Sequence, residues 1–474
     1  MPDCLKFYIG GAWIEPEGEA SLAIIDPSDE SVSGQVAIGS RADVDKAVAA
    51  ARSAFESYSQ TSRDERLALL GRIIEIYERR QPELAAAITL EMGAPSWLAE
   101  QWQVVMALNH LKTAHAKLAD YKFTRMSGPT LIVHEPIGVC AMITPWNWPL
   151  NQIAVKVAPA LATGCTMILK PSEVAPYSAT IFAEILDEAG VPAGVFNLVH
   201  GDGPGVGTAL SEHPDVDLVS FTGSTRAGVE VARAAAATVK RVHQELGGKS
   251  PFIILPSADI PAAVGNCVTL LMLNSGQSCS APTRLLVAAD QLEEVTQAVK
   301  RAAEEWVVGK PTSNAKMGPV VSEAQWVKIQ GLIDKGVAEG ATLVTGGAGR
   351  PEGLEKGYYV RPTVFSDVTN DMAVAREEIF GPVLSILSYG DVAEAISIAN
   401  DTPYGLAAYV HGEHAEAGAV AAQLRAGQVA LNSADVDFNA PFGGYKQSGN
   451  GREWGELAFG EFLETKAILG AAAA

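Results

Sequence analysis

The sequence predicts an α/β chain of two lobes, each built on a parallel sheet, with a small added β element. Three observations carry that expectation. The 474 residues exceed what one compact core holds. Strand-like and helix-like runs alternate from 137 to 245 and again from 251 to about 430, the rhythm of βαβ units. Residues 122–140 alternate in polarity around Gly128-Pro129 and read as a two-stranded ribbon.

Taken in order, residues 5–40 read as short strands, Phe7 to Ile9 and Ala12 to Ile14 about a Gly10-Gly11 turn. A helical pattern opens near Arg41, with Asp43 placed as N-cap for Val44, Ala47, Val48 and Ala51. Helix-period segments follow at 64–80, 82–92 and 96–120. The ribbon, strands 123–127 and 130–135, is marginal alone; a surface hairpin and a strand pair packed on another subunit both fit it. Strands are expected at 138–144, 166–169, 195–199 and 218–221, with helices near 152–163, 176–189 and 204–212. The second series places strands at 252–255, 284–287, 364–365, 383–387, 407–410 and 428–431, the lobes joining near Gly247-Gly248. The apolar run 268–273 is too short and uniform to assign by period. Beyond the Ala run at 234–237 there is no repeat or low-complexity segment.

Composition excludes several function classes. Apolar residues at 48% and charged residues at 19% are those of a globular chain. A net charge of −20 argues against nucleic acid and anionic membranes as partners. No run of 18 apolar residues marks a membrane helix, and the N-terminus lacks a signal-peptide pattern. Five scattered cysteines (Cys4, Cys140, Cys165, Cys267, Cys279) form no CxxC pair and no metal cluster, which points to a reducing cytoplasm and no metal.

Cys279, flanked by Ser278 and Ser280 and preceded by Gly276, suits a nucleophile on a tight turn, although a lone cysteine is usually a core residue. Glu245, ahead of Gly247-Gly248, follows a helical stretch at the lobe junction; there it can act as a general base or be a solvated helix-end charge. Asn147, in Pro145-Trp146-Asn147-Trp148-Pro149, offers a rigid neutral donor for an oxyanion, or a cap for the helix beyond. Lys170, Ser172 and Glu173 close a strand, where a parallel sheet binds nucleotides; Glu173 disfavours a 2′-phosphate, and the bland reading is a helix start with an acid on its dipole. Phe221-Thr222-Gly223-Ser224 runs from strand into a helix whose first N–H groups suit pyrophosphate. The glycines of 201–205 read as a turn. Glu378 can hold a ribose and Phe380 can contact a nicotinamide, or the pair is a helix end with one core Phe.

Together these strings resemble the aldehyde dehydrogenase superfamily over nearly the whole chain. The thiol motif runs from Gly276 to Arg284 and the glutamate motif from Glu245 to Pro251. The strings at 145–149, 170–173, 221–225, 377–383 and 441–449 follow the family's order. The resemblance implies two Rossmann-like lobes: 1–121 with 142–246 binds the cofactor, and 247–445 is catalytic. It implies an oligomerisation element at 122–141 with 463–474, a returning segment at 446–462, and homodimers or homotetramers. It implies NAD-dependent, rather than NADP-dependent, oxidation of an aldehyde. Cys279 forms a thiohemiacetal and then a thioester, Asn147 and the Cys279 N–H hold the oxyanion, and Glu245 activates the hydrolytic water. Cofactor contacts carry over to Ile143, Thr144, Trp146, Lys170, Ser172, Glu173, Gly203, Gly207, Phe221, Thr222, Gly223, Ser224, Leu246, Lys328, Glu378 and Phe380. Trp148, Asn151, Ser278, Ser280 and Phe442 fall in the substrate tunnel, and Asp435 and Asp437 near its mouth. Trp148, where the family often has Phe, and the polar Asn151 depart from the pattern; with Asp435 and Asp437 they either suit a polar or cationic aldehyde or merely sit on the surface. A CoA-acylating relative is disfavoured by Glu245, and a catalytically silent homologue by the presence of all three reactive groups.

Overall fold

The structure is a computed structural model and describes residues 1–471; the last three residues of the expected 463–474 tail lie outside the described residues. Two sheets organise the chain. The first has eight strands in the order Gly449–Asn450, Arg241–Glu245, Leu218–Thr222, Val139–Ile143, Thr166–Lys170, Phe196–Leu198, Phe7–Ile9, Ala12–Ile14. Its five central strands are parallel and both ends are antiparallel. The second has seven: Thr342–Thr345, Thr363–Ser366, Val383–Tyr389, Pro282–Ala288, Ser250–Ile254, Ala407–His411, Gln428–Leu431, parallel except at the first. Most central strands are buried along their whole length, as helix-covered parallel strands must be. The expected boundary at 141/142 falls inside the strand Val139–Ile143.

The helix Arg41–Tyr58 is capped by Ser40; the expected cap, Asp43, is instead the third residue of a capping box, accepting from the Ser40 N–H at 2.8 Å. The helices expected at 64–80 and 82–92 are one, Arg63–Met92, which runs through Pro82. Leu69, Leu70, Ile73 and Tyr77 before the proline and Leu84, Ala85 and Ile88 after it are buried, so continuous packing outweighs the lost hydrogen bond. The unassigned run 268–273 falls in and just after the helix Ile260–Met272.

Glu245 does not follow a helix. It ends the strand Arg241–Glu245, reached through Val239, whose φ of +56° turns the chain out of the preceding 3₁₀ turn. Five residues with a single β-branched side chain gave no readable strand period. This strand completes a row along the carboxyl edge of the sheet: Lys170 pairs with Ile143, Ile143 with Phe221, Phe221 with Gln244, and Thr222 with Glu245. The chain then crosses in four residues, Leu246 to Lys249, to the second sheet. The ribbon Thr124–Ser127 and Thr130–Pro136 is joined by Leu463–Ile468 in a separate antiparallel sheet.

Candidate active site

After Met272 the chain turns sharply. Asn274 and Ser275 both have φ of +57°, and Gly276 has φ of +73°. A β-carbon on Gly276 would lie 2.2 Å from the Gly381 carbonyl carbon, so this approach of the two loops requires glycine. Side chains hold the turn. Ser275 donates to Gly318 O at 2.9 Å, and the buried Gln277 donates to Asn274 O at 3.1 Å while accepting from Val321 N at 2.9 Å. Arg284, fully buried below, donates to Lys249, Ile398 and Ala399 carbonyls, tying the inter-lobe crossing to the thiol strand.

Asn147 is buried, and its Nδ2 donates to Gln277 O at 2.9 Å, which leaves one amide hydrogen free. It does not cap the following helix: Trp148 occupies that position, and Pro149 removes one of the donors a cap would serve. The Asn147 carbonyl accepts from Asn274 Nδ2 at 2.8 Å and from Gln103 Nε2 at 3.1 Å. Gln103 projects from a π-helical turn, Ala99–Gln103, where the extra residue changes its facing.

Asn147, Glu245 and Cys279 all line one cavity of about 210 Å³. So do Trp146, Thr222, Gly223, Ser224, Leu246, Lys328, Glu378 and Phe380. Burial raises the Cys279 thiol, with Glu378, Glu245 and Glu453 adding to the rise. Burial also holds the Glu245 carboxyl well above the usual carboxylate range, with Glu453 adding to the effect and Lys156 and Arg452 opposing it. Gly443 leaves room for that carboxylate, since a β-carbon there would sit 2.7 Å from Glu245 Oε1.

The other side of the cavity fits a dinucleotide. Trp146 and Phe380 meet edge to face at 5.4 Å. Phe380 has φ of +60°, and Gln325 Nε2 pins it by donating to Ile379 O at 3.1 Å and Phe380 O at 2.8 Å. Glu378 Oε1 accepts from Gly248 N at 3.0 Å. Gly223 and Ser224 open the helix Thr225–Ala235, so its free N–H groups border the cavity. Lys170, Ile143 and Phe221 stand outside the cavity, in the row along the sheet's carboxyl edge, the crevice where such sheets take nucleotides. Thr144 N donates to Lys170 O at 3.1 Å, and Lys170 Nζ lies 3.1 Å from Glu173 Oε2. Ser172 is buried beside them. Gly203 and Gly207 bound a π-helical turn; a β-carbon on Gly207 would meet Ile143 Cδ1 at 4.0 Å, so that turn faces the same edge.

None of the five expected tunnel residues lines the cavity. Trp148 Nε1 donates to Ser278 Oγ at 2.8 Å, and Ser280 O accepts from Tyr409. Phe442 stacks on Trp454 at 4.8 Å; Trp454 lies 4.8 Å from the His110 ring, itself 5.1 Å from Phe438. Asn151 is buried beside His110, and Asp435 and Asp437 are exposed. Sequence reading missed Gln152 and Gln325 on the cavity wall. Gln325 stands three residues after the helix cap Ser322, a spacing that reads as a capping box and hides its second use. Among the described residues there is no metal-binding cluster, no disulfide, and no helix long and apolar enough to cross a membrane.

The chain matches the model of the Aldehyde dehydrogenase family over residues 13–468. It is 56% identical over 473 residues to 3-succinoylsemialdehyde-pyridine dehydrogenase of a Pseudomonas species, covering 99% of both chains. It superposes with a TM-score of 0.98 and 54% identity on a cysteine-to-alanine mutant of aldehyde dehydrogenase C from Pseudomonas syringae, complexed with NAD+ and octanal, covering 99% of this chain and 98% of that one. Betaine aldehyde dehydrogenase of Staphylococcus aureus in complex with NAD+ aligns with a TM-score of 0.95 at 36% identity, over 99% of this chain and 95% of that one.

Proposed function

The chain belongs to the aldehyde dehydrogenase family and oxidises an aldehyde to its carboxylic acid with NAD as hydride acceptor; we propose that Cys279, Asn147 and Glu245 do the chemistry. The reading rests on one observation, that these three side chains, 132 positions apart at the extremes (279 − 147), line one cavity. Cys279 Sγ bonds to the aldehyde carbon, and the carbonyl oxygen becomes an oxyanion between the free Asn147 amide hydrogen and the Cys279 N–H. The thiol is raised by burial, so it needs a base, and Glu245 in the same cavity takes its proton. Bound NAD supplies the acceptor for hydride, and the carbon left behind is a thioester on Cys279. Glu245 gives up the thiol proton, then takes one from water as hydroxide adds to the thioester carbon, and the C–S bond breaks to release the acid and the Cys279 thiolate. Trp146, Gly223, Ser224, Lys328, Glu378 and Phe380 would hold the nicotinamide side of the cofactor, and Lys170, Ser172 and Glu173, with Ile143, Thr144, Phe221, Gly203 and Gly207, would hold its adenosine half. Replacement of Cys279 by Ala is expected to abolish aldehyde-dependent NADH formation at 340 nm while leaving NAD binding intact; turnover by that variant sinks the mechanism.

The substrate side supports a neutral, aromatic-bearing aldehyde. Phe442, Trp454, Phe438 and His110 make a connected aromatic cluster, Trp148 is tied separately to the Cys279 loop through Ser278, and burial pushes His110 down to about 3, so the ring carries no charge. The relative named for a pyridine-bearing semialdehyde fits that surface. A panel of aryl, alkyl, amino and carboxy aldehydes scored by kcat/KM tests it: aryl aldehydes are expected to lead, and a lead by cationic or carboxylate aldehydes refutes it. The three-stranded sheet built from Thr124–Ser127, Thr130–Pro136 and Leu463–Ile468 carries exposed Met126 and Ile468 and two outer edges, which supports self-association into dimers or tetramers in a reducing cytoplasm. Light scattering at the monomer mass sinks that assignment.

A further inference from the structure

Beside Glu245 runs a line of buried polar groups for which the chemistry above has no use. Glu245, His243, Ser220, Lys156 and Glu453 are each at most 3% exposed. Both Glu245 carboxylate oxygens and His243 Nε2 lack a hydrogen-bond partner, and Oε1 and Nε2 face each other at 3.5 Å. Buried polar atoms left unpaired are costly, and a closure of a few tenths of an ångström makes these two a hydrogen bond. The facing follows from the strand: residues two apart share a side of the sheet, and Ser220 stands opposite His243 in the adjacent strand. The other ring nitrogen, His243 Nδ1, lies 3.5 Å from Ser220 Oγ. Ser220 Oγ accepts from Lys156 Nζ at 3.0 Å, and Lys156 Nζ donates to Glu453 Oε1 at 2.6 Å.

We propose that His243 is a positioning residue that orients Glu245 and, through Ser220 and Lys156, passes on to Glu453 the proton Glu245 collects during thioester hydrolysis. The inference rests on Glu245 being the general base. Protons and charge balance along the line. The Glu245 O–H proton moves to His243 Nε2 as the Nδ1 proton moves to Ser220 Oγ. Lys156 first gives an Nζ proton to Glu453, and the amine left behind turns its free lone pair to Ser220 and takes the hydroxyl proton as Ser220 takes the one from Nδ1. Glu245 ends ionised, Glu453 ends protonated, Ser220 and Lys156 regain their starting states, and His243 ends as the other tautomer. Burial, with Lys156 and Arg452 nearby, holds His243 well below the ordinary histidine range, so the ring works as a neutral tautomer pair and not as a cation. The charged groups facing Glu245 from other elements are Glu453, Lys156, Arg452 and Glu461, and the backbone N–H of Arg452 donates to Glu461 Oε1 at 2.9 Å.

The test compares the parent protein with His243→Gln and Ser220→Ala in rapid-mixing NADH bursts and in steady-state turnover across pH. His243→Gln keeps a hydrogen-bonding amide but has no second tautomer. The expected result is an unchanged burst rate, a burst amplitude approaching one NADH per subunit, and a steady-state kcat lowered roughly tenfold or more with a displaced pH profile. Ser220→Ala is expected to reproduce the deficit, and the double variant to be no worse than either single one, because all cut one line. A His243→Gln protein with parental kcat and pH profile overturns the proposal. So does one in which burst, turnover and thermal midpoint fall together, since that is loss of structure. A parent that forms no NADH with any aldehyde sinks the assignment of Cys279 and Glu245 instead, and this inference with it.

Discussion

Glu245 and Glu378 line the same cavity from different lobes, and their surroundings are opposite. Glu245 ends a strand of the first sheet and has no hydrogen-bond partner on either oxygen. Burial raises its carboxyl, and among the surrounding charges Glu453 has the largest effect, pushing it further up. Glu378 leads toward the second sheet, accepts from Gly248 N, and has Lys328 and Lys249 working against the rise that burial causes. A carboxyl without partners and raised toward neutrality exchanges protons; one tied to a backbone N–H and balanced by lysines stays put and accepts hydroxyl hydrogens. Environment, not residue type, separates a base from a clamp.

The largest expected effect comes from breaking the unpartnered side. Glu245→Gln keeps size and polarity but removes the basic oxygen, and turnover is expected to fall roughly 10²–10⁴-fold. The sign in pH follows from the raised carboxyl. The basic form accumulates only as pH rises through that raised value, so parental kcat climbs with pH and the Gln variant loses that climb. A retained climb assigns it to another group and dissolves the contrast with Glu378.

A smaller effect is expected on the tied side. Glu378→Gln keeps an acceptor for Gly248 N but loses the charge that strengthens bonds to ribose hydroxyls. The Kd for NAD is expected to rise about tenfold, read by NADH fluorescence displacement, with kcat little changed. A collapse of kcat with unchanged Kd makes Glu378 a participant in the chemistry and erases the distinction.

How far this was legible in the sequence differs between the two acids. The βαβ rhythm and the order of motif strings gave both lobes and each strand of the parallel series except Arg241–Glu245. That strand is short, has one β-branched residue, and is held by register with Leu218–Thr222 rather than by its own pattern. The sequence therefore marks Glu245 as a base or a helix-end charge after a helical stretch, whereas it ends a strand. His243 carries no signal of its own, because its meaning comes from Ser220 opposite and Lys156 beyond. Gln103, on a π-helical turn, and Gln325, behind an ordinary cap, act through backbone carbonyls far away in sequence, which no local spacing encodes. Of the tunnel residues named by resemblance, Trp148 bonds to Ser278 while Asn151, Ser280 and Phe442 meet His110, Tyr409 and Trp454, all off the cavity wall, and the aldehyde panel tests their part.

The smallest effect tests the lysine that balances Glu378. Lys249 is 1% exposed, its Nζ has no hydrogen-bond partner, and burial, with Arg284 adding, pushes it down to about 7 from 10.5. Because the folded value lies below the ordinary one, the unfolded chain binds a proton that the folded chain lacks between about pH 7 and 10.5, and stability contributed by this site rises with pH across that window. Below pH 7 both states carry the charge, and the folded protein bears the full cost of burying it. Lys249→Met fills the same volume without an ammonium, so its thermal midpoint is expected to exceed the parent's most at pH 6, and the gain to shrink steadily toward pH 10. The same variant leaves Glu378 with one lysine fewer and is expected to weaken NAD binding slightly at low pH, where Lys249 is charged. A midpoint difference that is flat in pH, or that grows as pH rises, shows Lys249 to be paired in solution and removes it from the balance that sets Glu378 apart from Glu245.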